Sequence, residues 1–327
     1  MRPAVLFLFL ALPALAGPPL AVPFRAQQPG TCGPAALAMV ANYYGQPVAP
    51  AEIAGAIYLP ALHGTLTADL ASYAAQFHLW VRQYRGNPTD IRQKLAAGVP
   101  LIVLGKFGSQ PHFFVVLGFD EFAGTVRVHS DQRAALVLSQ EQFWRVWDRA
   151  DQWTLLVCPP DRATWRLTGE ENNDLGVFLE KTGQLPAAAG RYRCATELVP
   201  TNSYFQMNLG NVLLKQKLLP EAVAAFRQAV RSAPENADAL NNLAWAYGEL
   251  NANLDEALTL CDQARVLQPG RQAHYLDTRG TVLWRQGRVV EAVAAWEQAL
   301  AATTDRQPGL RSAIRQHLAQ ARSEHPQ

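Results

Sequence analysis

The hydrophobic pattern of the chain changes near residue 160, and the two parts predict different folds. In the first part, stretches with helical spacing come first, and runs of β-branched and aromatic residues bounded by Gly or Pro follow. The helical stretches are 33–44, 67–77 and 89–97, with a further apparent helix at 143–147. The strand-like runs are 101–104, 112–119, 125–129 and 153–157. Helices followed by an antiparallel sheet predict an α+β domain.

From about Thr168 onward the strand signals vanish and a period of 34 residues replaces them. The repeated features are the pairs Leu175-Gly176, Leu209-Gly210 and Leu243-Ala244 and the prolines Pro200, Pro234 and Pro269. Small residues let paired helices cross closely, and a proline ends the second helix of a pair. The pattern resembles the tetratricopeptide repeat over about residues 170–304, with one extra residue near 251–253. Residues 310–324 predict a polar capping helix.

The first residues predict export. Arg2 precedes an apolar run, Ala4–Ala16, that is long enough for a signal peptide and too short to span a membrane. The segment 14–16, ALA, offers small residues to a signal peptidase, which predicts cleavage before Gly17. The mature protein is expected to be periplasmic or secreted. No later segment reaches the roughly 20 apolar residues of a membrane span, so no integral membrane segment is expected after cleavage.

Composition and charge narrow the range of partners. The 327 residues are 49% hydrophobic, which excludes disorder over most of the chain. The 29 Lys and Arg nearly balance the 27 Asp and Glu, so the net charge of +2 gives no reason to expect nucleic acid as a partner. Four cysteines permit two disulfides, but their spacing selects no pairing, and mostly buried or free thiols are expected.

Cys32 has the sequence context of a nucleophile. It stands directly before a predicted helix whose first turn holds Pro34, where the helix dipole stabilises a thiolate. Gln27 and Gln28 upstream offer amide donors for an oxyanion hole, and His112 at the start of a predicted strand offers a base. Each feature alone is weak, because a lone cysteine at a helix start is more often structural.

Two longer segments carry a family resemblance. Residues 22–45, VPFRAQQPGTCGPAALAMVANYYG, resemble the nucleophile segment of the bacteriocin-processing cysteine peptidases, papain-like domains that cut double-glycine leaders. Residues 111–120, PHFFVVLGFD, resemble the histidine segment of that family. The resemblance covers roughly residues 20–158. It implies a papain-like fold with Cys32 as nucleophile, His112 as general base and then acid, and Gln27 as oxyanion donor, preferred over Gln28 for its spacing to the cysteine.

The third member of the site is the least defined. The family usually carries an Asp, often followed by Pro, after the strand that follows the histidine strand. Asp131 stands there in this chain, but Gln132 follows it in place of Pro. Asp131 is therefore the first candidate to orient the imidazole. Ser130 is a weaker alternative, and Asp120 has the context of a turn former.

The predicted organisation is a signal peptide (1–16), a papain-like peptidase domain (17–160), a linker (161–168) and a tetratricopeptide solenoid with its capping helix (169–327). The expected activity is cleavage of peptide bonds in a peptide or protein, with a Cys32 thiolate and a His112 imidazolium as the attacking pair. A protein partner or the substrate is expected in the groove of the repeats. Two alternatives remain: a peptidase-like fold that binds peptides without cutting them, and an amidase or acyl transferase acting on cell-wall peptides.

No cofactor is expected for this chemistry. A metal site is not expected either, because the histidines of the first part are scattered without the close Cys and His spacing of zinc sites. These histidines are His63, His78, His112 and His129.

Overall fold

The computed structural model describes residues 18–108 and 110–324, and the chain divides into two compact units, residues 1–166 and 167–327. The boundary falls inside the stretch predicted as a linker. The predicted signal peptide lies outside the described residues. Along the ranges that the structure describes, no helix is both long and apolar enough to cross a membrane.

The first unit is an α+β domain, as predicted. Within residues 18–108 and 110–166, six strands form one sheet in the order β1-β6-β2-β3-β4-β5, and every pair of neighbours is antiparallel. The elements are α1 (Cys32–Tyr43), α2 (Pro50–Ile57), α3 (Thr67–Ala74), β1 (Trp80–Arg85), α4 (Pro88–Ala96), β2 (Leu101–Phe107), β3 (Gln110–Asp120), β4 (Thr125–Ser130), β5 (Arg133–Ser139), α5 (Gln140–Asp148) and β6 (Trp153–Cys158).

Helix α1 forms the centre of the core of this unit. All of its residues from Gly33 to Ala41 are buried, as expected for a helix that is apolar on every side. It packs with the alternate β3 residues Phe113, Val115 and Leu117, which share one face of the sheet. The N-terminal end of α1 is thereby fixed beside the first residues of β3.

The segment ahead of α1 lies along the same sheet. The backbone N–H of Leu20 donates to the carbonyl of Leu117 (2.9 Å), and the N–H of Gln27 donates to the carbonyl of Asp131 (3.3 Å). A Cβ on Gly118 would lie 3.2 Å from Pro19, so the segment approaches β3 closely. These contacts hold the residues before Cys32 against the ends of β3 and β4.

The second unit consists of antiparallel helix pairs and a final helix. The pairs are α6 (Gly169–Lys181) with α7 (Leu185–Leu198), α8 (Ser203–Lys215) with α9 (Leu219–Ser232), α10 (Ala237–Leu250) with α11 (Leu254–Leu267), and α12 (Gln272–Arg285) with α13 (Val289–Ala302); α14 (Pro308–Glu324) follows. Helix α14 packs Ile314, Leu318 and Ala321 into the core of the last pair, around Trp296. The predicted helical repeat is confirmed.

The repeated small residues face aromatic rings in three of the pairs. A Cβ on the glycine of the first helix would lie 2.5–2.6 Å from a ring atom of the second helix, which is too close for any side chain. The facing residues are Gly176 and Tyr192, Gly210 and Phe226, and Gly280 and Trp296. In the third pair the equivalent positions hold Ala244 and Cys261, both buried, so a larger first residue accompanies a smaller second one.

This complementarity predicts opposite effects for two Gly→Ala changes in the second unit. Gly210→Ala should destabilise it by about 1–3 kcal/mol, because the methyl group overpacks against Phe226. Gly190→Ala, also inside a helix but with no atom within 4 Å of the added Cβ, should stabilise it by roughly 0.5–1 kcal/mol. Urea denaturation followed by circular dichroism measures both, and equal shifts for the two variants would contradict this packing.

The turn of the third pair, which follows the extra residue, differs from the other turns in its backbone conformation. One residue with positive φ lies in the turn of each other pair, at Gly183, Lys217 and Gly287. The turn between α10 and α11 contains two, Asn251 (φ 52°) and Asn253 (φ 54°). Asparagine tolerates this left-handed conformation better than most residues, so the two asparagines permit a different path for this turn, which has three residues like the others, after a helix α10 that is one residue longer than α8.

Candidate active site

Cys32 is the first residue of α1, and a tight turn precedes it. The Thr31 hydroxyl donates to the carbonyl of Gln28 (2.9 Å) and accepts from the N–H of Gln28 (3.0 Å). Gly30 has a φ of 75°, and a Cβ there would lie 2.8 Å from the carbonyl oxygen of His63. Only glycine fits this position, and the turn therefore presents Cys32 at the helix N-terminus.

Burial and hydrogen bonding change the pKa of the Cys32 thiol in opposite directions. Burial raises its pKa, since the thiolate is the charged form, and the charge of Asp131 raises it further. Backbone N–H groups of Phe113, Gly33 and Cys32 itself form hydrogen bonds to the sulfur, which lower the pKa. Burial has the larger effect, so the pKa lies above the usual value. The N–H groups at the helix N-terminus stabilise the thiolate, as the sequence predicts, but burial destabilises the thiolate by more.

His112 lies on β3 directly before Phe113, whose N–H bonds the thiol. The ring nitrogen Nε2 of His112 is 3.0 Å from the Ser130 hydroxyl and 3.4 Å from Oδ1 of Asp131. With Nε2 directed at these two residues, Nδ1 is the nitrogen available to the thiol. Burial lowers the pKa of His112, and the charge of Asp131 partly opposes this.

Asp131 begins the two-residue turn between β4 and β5 and has a φ of 54°. Its carboxylate is an acceptor for the Gln27 amide (3.0 Å, on Oδ1) and the Ser130 hydroxyl (3.4 Å, on Oδ2). Of the three sequence candidates for the third position, the structure thus brings Asp131 and Ser130 to His112. Asp120 lies eight residues after His112 along β3, which places the two about 26 Å apart. Its side chain accepts a hydrogen bond from the N–H of Ala123 in the β3–β4 turn.

The two candidate oxyanion donors occupy different environments. Gln27 is half-buried and its side-chain nitrogen reaches Asp131, so it lies within the site. Gln28 is exposed, and the hydrogen bonds found for it use its backbone groups in the turn before Cys32. The structure thus brings Gln27 and His112 to the carboxylate of Asp131, and it places the N–H of Phe113, the residue after His112, at the thiol of Cys32.

The other histidines of the first unit serve its structure. His63 and His78 are exposed loop residues with positive φ. His129 is buried, and its Nδ1 accepts from the N–H of Ala135 (3.0 Å) while Nε2 lies 2.9 Å from the carbonyl of Val22. Among residues 18–108 and 110–324, no three His, Cys, Asp or Glu side chains are placed to hold a metal ion.

His129 predicts a dependence of stability on pH. Nδ1 accepts a hydrogen bond, so the folded state requires the neutral ring, and burial lowers its pKa. The folded state then binds fewer protons than the unfolded state, and the free energy of unfolding should fall as the pH drops below about 6.5. The His129→Gln variant should show a shallower loss than the wild-type protein in urea denaturation between pH 5 and 8. Exposed His78→Gln is the control, and equal slopes for all three proteins would contradict the prediction.

Each of the two units contains residues that match the model of a known protein family. Residues 22–161 match the model of the Peptidase C39 family, and residues 174–236, 219–272 and 251–311 match the tetratricopeptide repeat model. Both predicted resemblances are thus confirmed. The first unit holds a Peptidase C39 domain, and the second is a tetratricopeptide repeat unit.

Three individual proteins each match part of the chain. Protein FlbA of Caulobacter vibrioides is 30% identical over 132 residues, which are 40% of this chain and 22% of that protein. Among solved structures, the tetratricopeptide protein TTC0263 of Thermus thermophilus is 26% identical with a TM-score of 0.41. The match covers 48% of this chain and 82% of that protein. Pseudomonas aeruginosa pilF is 19% identical with a TM-score of 0.41, and the match covers 48% of this chain and 68% of that protein.

Proposed function

We propose that this chain, in which a Peptidase C39 domain precedes tetratricopeptide repeats, is a cysteine peptidase. One observation carries the proposal: Nε2 of His112 faces Asp131 and Ser130 while the N–H of the next residue, Phe113, bonds the thiol of Cys32. Nucleophile, base and orienting carboxylate thereby follow one another in the order that acyl transfer requires.

The reaction follows from these positions. As the thiol sulfur of Cys32 attacks the peptide carbonyl carbon, Nδ1 of His112 takes its proton, because burial keeps both groups neutral before attack. The side-chain N–H of Gln27 and the backbone N–H of Cys32 stabilise the oxyanion. His112 then returns the proton to the leaving amine, and the C–N bond breaks. Water, deprotonated by His112, hydrolyses the thioester and restores the thiol.

A peptide library derived from a bacterial proteome tests this function without a known substrate. The wild-type protein should generate new peptide N-termini, detected by mass spectrometry, that are absent with Cys32→Ala. A protein that binds library peptides but produces no new termini would instead be a peptide-binding module. Cleavage of muropeptides without cleavage of the library would indicate an amidase acting on cell-wall peptides.

The repeat unit is proposed to hold a protein partner or the peptidase substrate. Support comes from exposed apolar side chains at the junctions of successive pairs, where Tyr204 is 70% exposed and Val266 80% exposed. Tyr204 and Leu267 line one concave surface around Pro234. A Tyr204→Ala, Leu267→Ala double variant should raise KM for an intact protein substrate but not for a short peptide. An unchanged KM for both would contradict substrate docking at this surface.

Export is a separate proposal and rests on residues 1–16 of the sequence. Expression in a Gram-negative host should yield a mature protein that begins at Gly17 and appears in the periplasmic fraction. A cytoplasmic protein with an intact N-terminus would contradict it. The measurement is the mass of the N-terminal peptide in each fraction.

A further inference from the structure

The turn between β4 and β5 holds Gln27 by three hydrogen bonds, and both residues of the turn take part. Asp131 accepts two of them: its carbonyl oxygen from the N–H of Gln27 (3.3 Å) and its carboxylate from the Gln27 side chain (3.0 Å). The third comes from the Gln132 side chain, whose Nε2 donates to the carbonyl of Gln27. The backbone of Gln27 is therefore held on its N–H side by Asp131 and on its carbonyl side by Gln132.

The carboxylate of Asp131 also determines which end of the Gln27 amide enters the site. An ionised carboxylate only accepts hydrogen bonds, so it selects the nitrogen of the amide over the oxygen. Nitrogen Nε2 carries two hydrogens, and one of them bonds Asp131. The other is free to donate to an oxyanion, provided that the backbone of Gln27 keeps its position.

We propose that Gln132 is a positioning residue for the oxyanion donor Gln27. This inference rests on the proposed peptidase function and adds a residue to it. Gln132 is exposed, and the contact through which it acts is its hydrogen bond to the Gln27 carbonyl. The bond joins two segments that are 105 residues apart in the chain, so it fixes the loop before Cys32 to the turn that carries Asp131.

Steady-state kinetics on a peptide found with the library test the role of Gln132. Gln132→Ala should lower kcat about 10-fold with KM unchanged, less than the roughly 100-fold to 1,000-fold loss for an oxyanion donor such as Gln27. Gln132→Glu, which is nearly isosteric but presents a carboxylate to the Gln27 carbonyl, should lose at least as much. Gln132→Lys, which restores a donor, should recover activity. Gln83→Ala on β1, also an exposed glutamine, is the control.

A double-mutant cycle tests whether Gln132 affects kcat through Gln27. In a Gln27→Ala background the further change Gln132→Ala should have no effect on kcat, because the donor that it positions is already absent. Full additivity of the two losses would overturn the proposal. A loss confined to KM in the single variant would overturn it as well.

A second measurement separates this proposal from the peptidase function. The side-chain ¹⁵N–H₂ signals of Gln27, assigned by comparison with Gln27→Ala, should shift in Gln132→Glu and stay in place in Gln83→Ala. If the wild-type protein cleaves no peptide, the peptidase function fails, and these signals still report whether Gln132 positions Gln27. Signals that are unchanged in Gln132→Glu would overturn the positioning role itself.

Discussion

The Cys32→Ala variant is expected to lose all peptide hydrolysis, and His112→Ala is expected to lose kcat/KM by about 10,000-fold or more. In the proposed mechanism the sulfur of Cys32 forms the acyl-enzyme, so no other group of the site can replace it. In the proposed mechanism His112, whose Nε2 faces Ser130 and Asp131, accepts the thiol proton and then gives it to the leaving amine. Without it the buried thiol, whose pKa is raised, stays protonated.

The measurement is the initial rate on a peptide identified with the library, from pH 5 to 9. Two matched variants should keep the wild-type rate: Cys194→Ala, which changes an exposed free thiol of the second unit, and His78→Ala, which changes an exposed loop histidine. Thermal denaturation of each variant shows whether it is folded. Hydrolysis by folded Cys32→Ala at the wild-type rate would contradict the assignment of the nucleophile.

The same pH series examines the protonation state of the site before attack. Because burial raises the pKa of Cys32 and lowers that of His112, alkylation of Cys32 by iodoacetamide should be slow near pH 6. It should still be rising near about pH 8.5, the pKa of a free thiol. Rapid alkylation near pH 6 that disappears in His112→Ala would show instead a thiolate and imidazolium pair formed in advance.

Much of the fold follows from local sequence patterns, because those patterns report burial. The apolar run after Cys32 becomes the central helix α1, and the alternate residues of 112–119 become the two faces of β3. The 34-residue period identifies the helix pairs because each pair needs a small residue on its first helix opposite a side chain of its second helix, as at Gly210 and Phe226. Such signals repeat at fixed spacing and therefore need no knowledge of distant contacts.

The elements absent from the sequence prediction are an edge strand at each side of the sheet and one short helix. Arg82 and Arg85 interrupt the apolar residues of β1. Strand β5 does have an apolar run, 134–138, but two of its five residues are alanines, which are depleted in strands, and none of its residues is buried. Helix α2 has only eight residues and one buried residue, Ile53, which is too little for a helical period. In β1 and α2, partial exposure thus removes the signal on which the prediction depends.

The site itself was predictable as a set of residues but not as a network. The resemblance places Gln27, Cys32, His112 and Asp131 together, yet the bond between the Gln27 amide and Asp131 spans 104 residues. No periodicity reports such a contact. The proposed role of Gln132 depends on the same turn. A glutamine that follows an aspartate gives no sign of that role in the sequence.

Asp131→Asn is expected to lower kcat by roughly 100-fold to 10,000-fold, because the carboxylate serves the base and the oxyanion donor at once. Oxygen Oδ1 receives both the Gln27 amide and Nε2 of His112, and Oδ2 receives the Ser130 hydroxyl. An asparagine replaces one of these oxygens by an NH₂ group, so one of the donors faces another donor. Asparagine also tolerates the φ of 54° at this position, so the turn should keep its shape.

The pH profile distinguishes this role from a loss of folding. Since the charge of Asp131 raises the pKa of His112, its removal lowers that pKa. The neutral base then persists to lower pH, and the acid limb of the rate profile should move to lower pH even as the maximum falls. Asp120→Asn is the matched control, because the side chain of Asp120 bonds Ala123 in the distant β3–β4 turn and should leave both the profile and kcat unchanged. An acid limb that stays in place in Asp131→Asn, or one that moves equally in Asp120→Asn, would remove Asp131 from its position beside the base.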